Sequence, residues 1–63
     1  MSGMELVNID YDRILDDLET PKAFCFIIGG EKVWLPKSQV EDIIETQQEV
    51  VIPEWLAMEK GLI

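Results

Sequence analysis

Four aspartates crowd the first third of the chain, at Asp10, Asp12, Asp16 and Asp17, and closely spaced carboxylates can hold a hard cation through oxygen ligands. A calcium loop would also need a glycine turn and a bidentate glutamate at its end, and neither is in place. A solvated acidic face is the plainer reading. Histidine is absent, which removes the commonest general base and the commonest metal ligand together. Cys25 is the single cysteine, and no base or helix N-terminus lies beside it to favour the thiolate. It reads as a small core residue. Ser2 and Ser38 have no base partner at a recognisable spacing. Gly29-Gly30 is not a phosphate cradle, because no GxxxxGK[ST] pattern surrounds it. We therefore expect no cofactor, no metal and no enzymatic activity.

What remains is a surface that could bind. EKVWLPKSQV, residues 31–40, places Trp34 between Lys32 and Lys37 in an otherwise acidic chain. An indole flanked by cations can stack a nucleic-acid base or clamp a peptide. The plainer reading lays Trp34 under a C-terminal helix and Trp55, with the lysine stems covering it. Thirteen acids against five bases give a net charge of −8, which repels phosphates and favours partners with basic surfaces. In that setting Asp12, Asp16, Asp17 and Glu19 would meet the partner, with Tyr11 or Trp34 as an aromatic anchor.

The elements that must position these residues fit one small domain spanning residues 1–63. A chain this short has a thin core, yet 48% of it is hydrophobic, too much for a disordered segment. Residues 1–9 show no clear period and read as a loose or edge-docking arm. Asp10 suits a helix N-cap, and Tyr11, Ile14, Leu15 and Leu18 follow at i, i+3, i+4, i+7. The spacing predicts a helix over 11–19, stopped by Pro21. Lys22 to Ile28 is aromatic and branched, Gly29-Gly30 supplies a two-residue turn, and Glu31 to Leu35 returns, which predicts a hairpin. The expected pairs are Ile28 with Glu31, Phe26 with Val33 and Phe24 with Leu35 on the core side. Ile27 with Lys32, Cys25 with Trp34 and Ala23 with Pro36 fall on the other.

Ser38 to Ile44 fits either a capped helix or a strand. We favour strand–turn–strand, with Glu45 to Gln48 turning into a last strand, Glu49 to Ile52, because a local neighbour costs least loop entropy. Pro53 suits the first turn of a closing helix and Gly61 its left-handed cap, with Trp55, Leu56, Met58 and Leu62 as its apolar contacts. The expected fold class is α+β: an N-terminal helix, a small curled, barrel-like antiparallel sheet of about four strands, and a short C-terminal helix. No apolar run reaches membrane-span length and the N-terminus lacks the pattern of a signal peptide, so a cytoplasmic protein without membrane contact is expected.

VWLPKSQ followed by PEWLAMEKGL resembles a C-terminal pattern of small phage and prophage proteins. The pattern joins a lysine-started apolar strand, a W-x-P-x-S turn and a PEWLA-x-x-KGL ending. Lys22, Trp34, Pro36, Ser38, Trp55, Leu56, Lys60, Gly61 and Leu62 carry it over residues 22–63. The resemblance implies a phage-like source, with the host cytoplasm as compartment, and a small β-rich fold closed by a helix. It transfers no catalytic residue, and the acidic segment 1–20 lies outside it. The expected role is a non-enzymatic acidic interaction module, a phage accessory factor that binds or inhibits a host protein handling defence or nucleic acid. The rivals are a small β-barrel protein on single-stranded nucleic acid, touched by Trp34, Lys32 and Lys37, and a structural subunit that forms a homodimer through unpaired strand edges.

Overall fold

The computed structural model describes residues 5–63. The fold is mostly β, and the described residues form six strands and one short helix: β1 (Leu6–Asp10), β2 (Arg13–Ile14), β3 (Ala23–Ile28), β4 (Glu31–Pro36), β5 (Asp42–Ile44), β6 (Glu49–Pro53) and α1 (Glu54–Glu59). They form two antiparallel three-stranded sheets, ordered β1-β6-β5 and β2-β3-β4, which do not close into a barrel.

The expected N-terminal helix is absent. Asp10 caps nothing and ends β1, Tyr11 passes into the core at 7% exposure, and Asp16–Leu18 makes a single 3-10 turn. The physical reason lies in a competing period. Val7, Ile9 and Tyr11 alternate with Leu6, Asn8 and Asp10, which is the spacing of a strand with one buried face. Pairing Val7 with Ile52 and Ile9 with Val50 turns that face onto the core, burying Ile9 and partly burying Val7, whereas a helix over 11–19 would bury only its own short stripe. Leu6–Asp10 is thus a paired strand and not a loose arm; residues 1–4 lie outside the described residues. Pro21, expected to stop a helix, sits in a bend before β3. There Thr20 Oγ1 accepts from the Ala23 N–H at 2.9 Å.

The hairpin has the expected register at all six pairs, from Ile28 with Glu31 to Ala23 with Pro36. Gly29 and Gly30 carry φ of +61° and +83°, the two positive values of a type I′ turn. Phe26 and Leu35 are fully buried on its inner face and meet Val50, Ile52 and Ile9 of the other sheet. Tyr11 closes on Phe26 with ring centroids 5.1 Å apart, and Phe24 sits edge-on to Phe26 at 6.0 Å.

Tyr11 and Asp12 form the corner where the chain leaves one sheet for the other. The Tyr11 N–H donates to Gln48 O at 2.9 Å, and the Asp12 N–H donates to Ile27 O at 2.7 Å. Gln48 holds a left-handed φ of 54° and its Nε2 donates to Asp12 O at 2.7 Å. Beyond β4, Lys37–Gln39 is a 3-10 turn where a strand was expected to begin. Strand β5, the turn Glu45–Gln48 and β6 follow as the strand–turn–strand reading requires.

Helix α1 starts after Pro53, whose own extended backbone leads into it. Its end is a Schellman cap: the Leu62 N–H donates to Ala57 O at 2.8 Å and the Gly61 N–H to Met58 O at 3.1 Å. The helix buries Leu56 and Ala57 against β1 and β6, with Leu62 packed beside them. Trp55 and Met58, expected among its apolar contacts, point outward instead, because they fall on the face opposite Ala57 in a helix of six residues. No helix among the described residues is long and apolar enough to cross a membrane.

Candidate interaction surface

The outer face of the sheet β2-β3-β4 collects most of the candidate residues. Adjacent strands place paired side chains on one face, so Arg13, Ile27 and Lys32 make one row across it. Cys25 and Trp34 make the next, joined by Leu15, whose N–H donates to Cys25 O at 2.9 Å. Cys25 is fully buried although it points outward. The 3-10 turn Asp16–Leu18 packs on β3, and Trp34 stands directly across the ladder from Cys25 on the same face.

Trp34 is 39% exposed and Trp55 47%, while α1 packs on β1 and β6. The indole does not lie under the helix, so the plainer reading of Trp34 is corrected: it stands across from Cys25 on the outer face and is open to solvent. Lys32 stands two residues before it on the same face, about 7 Å away along the strand. Lys37 does not join them. Its ammonium pairs with Glu19 and sits 4.9 Å from the centre of the Phe24 ring, on the inner-face side of the ribbon. The cluster Lys32–Trp34–Lys37 is therefore divided, and Arg13, which sequence reasoning passed over, stands in the Lys32 row.

The acidic candidates also separate. The Asp12 carboxylate accepts from the Gly30 N–H at 3.2 Å and ties the corner to the hairpin turn. Glu19 is held by Lys37. Asp16 and Asp17 are exposed, begin the 3-10 turn, and make no side-chain hydrogen bond or ion pair among the described residues. Tyr11, a candidate anchor, is in the core and does not present its ring to a partner.

Burial raises the Tyr11 phenol above its ordinary value of 10, and the Glu45 carboxylate adds to the effect. The neutral phenol is the form the fold favours. Stability from this group is complete below the ordinary phenol range and is lost as pH rises through the folded pKa. Tyr11 is the chain's one tyrosine, so the phenolate absorption band reports it alone. An alkaline titration should show a higher midpoint in the folded chain than in urea, and Tyr11→Phe should remove the alkaline slope in stability; equal midpoints would refute the burial.

Among the described residues there is no cavity and no metal-ligating cluster, so a partner would meet an open surface. The chain matches no protein-family model, no curated protein and no solved structure.

Proposed function

We propose that the chain is a non-enzymatic, acidic protein-interaction module whose partner carries a basic surface. In the phage setting that the resemblance implies, it would be an accessory factor that binds or inhibits a host protein. The observation behind this reading is the state of Asp16 and Asp17. They are exposed, adjacent and, among the described residues, unengaged at the β2 edge, while the neighbouring Asp12 and Glu19 are tied into the fold. Unpaired carboxylates on an ordered turn can meet a cationic surface at little entropic cost.

Affinity capture from host lysate, read by mass spectrometry at low and high salt, tests this. Specific capture should fall about tenfold or more as salt rises to the point where surface charges are screened. The double change Asp16→Lys and Asp17→Lys should abolish it with the fold intact. A partner retained by that variant would remove the acidic edge from the reading.

A further inference from the structure

We propose that strand β4 is a self-pairing edge, and that two copies of the chain join β4 to β4 antiparallel around Val33. The inference goes beyond the acidic-edge reading and does not depend on it. It begins with the direction of the peptide groups along β4. The two-residue turn makes Ile28 and Glu31 a hydrogen-bonded pair, and the Lys37 N–H donates to Lys22 O at 2.8 Å at the far end. Between those points the bonded positions alternate. Glu31, Val33 and Leu35 spend their peptide groups on β3, and those of Lys32, Trp34 and Pro36 face away from it. Among the described residues no strand lies on that side, and none of the turn and loop hydrogen bonds reaches Lys32 or Trp34.

The outward positions are self-complementary. A two-fold axis through Val33 sets Lys32 opposite the second copy's Trp34 and Trp34 opposite the second copy's Lys32. Both are hydrogen-bonded pairs of an antiparallel ladder, because both partners turn their peptide groups outward. The side chains of each pair share the outer face, so each ammonium comes over an exposed indole, a contact favourable to cation and ring. Glu31 falls opposite Leu35, and the two Glu31 carboxylates stay four positions apart. Pro36 has no N–H to offer and ends the ladder there.

The remaining edges argue for this one. β2 has two residues and β5 three, too short to template a strand. On β1, Asp10 sits directly opposite Glu49, so that five-residue edge carries a carboxylate pair and no base to offset it against a second acidic copy. β4 has six residues with one acid and one base, the longest and most nearly neutral edge on a chain of net charge −8. Pairing it leaves the short β2 strands outermost, so the assembly closes at a dimer and does not propagate.

Sedimentation equilibrium from about 1 μM to about 1 mM chain tests the pairing. We expect a monomer–dimer equilibrium that shifts toward dimer as salt rises, since salt screens the repulsion between two acidic copies. Capture through Asp16 and Asp17 would weaken under the same change, so the two readings fail separately. Lys32→Glu and Trp34→Lys should each weaken the dimer about tenfold or more, and the two together should restore it by setting opposite charges across the axis. Lys32→Gln, a neutral change at an exposed position, should weaken it also, with circular dichroism confirming an unchanged fold. A monomer at every concentration would overturn the proposal, as would association that survives both single changes. Quenching of Trp34 by an oligonucleotide in a Trp55→Phe chain that never self-associates would also overturn it, and would hand the edge to nucleic acid.

Discussion

Phe26→Ala should leave most of the chain unfolded at room temperature. Phe26 is fully exchanged out of water, touches the rings of Tyr11 and Phe24, and lies at the centre of the cluster that joins the two sheets. Truncating a buried phenylalanine costs about 3–5 kcal/mol, because the lost transfer energy is joined by the energy of the void. A single core on a chain below about 70–80 residues supplies only about 3–5 kcal/mol in total. The loss therefore matches the whole reserve. Phe26→Leu keeps most of the volume and should cost less than about 1.5 kcal/mol, leaving the chain folded. Urea titrations followed by far-ultraviolet circular dichroism decide it. A cooperative transition of unchanged midpoint in Phe26→Ala would mean that the two sheets do not share this core.

The second large effect lies in backbone conformation. Gly30 has φ of +83°, and a Cβ built there would meet nothing within 4 Å, so no clash complicates the result. Gly30→Val forces a β-branched residue into a region that costs an ordinary residue about 1–2 kcal/mol, and more when branched. We expect a loss of about 2 kcal/mol. Gly29→Asn should be neutral or stabilise by up to about 1 kcal/mol, since Asn-Gly is a preferred type I′ pair and asparagine restricts the unfolded chain. Thermal melts of the two variants should move in opposite directions or nearly so. Equal destabilisation would show that the turn is not the one described.

How much of this was legible in the residues depends on the distance over which each element is decided. The β3–β4 hairpin is settled within fourteen residues by aromatic and branched runs around two glycines, and its register follows from turn length alone. Pro53 and Gly61 mark α1 for equally local reasons. The segment 6–18 is different, because it carries two periods at once. Val7, Ile9 and Tyr11 alternate as a strand, and Tyr11, Ile14, Leu15 and Leu18 repeat as a helix. The choice between them is made by β6, some forty residues away, which no local window contains. A two-residue strand such as β2 is too short to show any period.

The surface was legible to a similar depth. That Trp34 and Lys32 share a face follows from strand alternation. That Lys37 turns to Glu19 and Phe24 depends on the path of the bend at Thr20 to Lys22, which brings Glu19 alongside. The burial of Tyr11 needed the corner at Asp12 and Gln48, where the bonds come from residues far apart in sequence.

The pairing of β1 with β6 has a consequence for how the protein is made. Val7 and Ile9 are synthesised about forty residues before their neighbours Ile52 and Val50. The hairpin at Gly29-Gly30 can form while synthesis continues, but the sheet that seals the core has to wait until β6 has emerged. A ribosome stalled before residue 50 would hold a nascent chain whose β1 has nothing to close against.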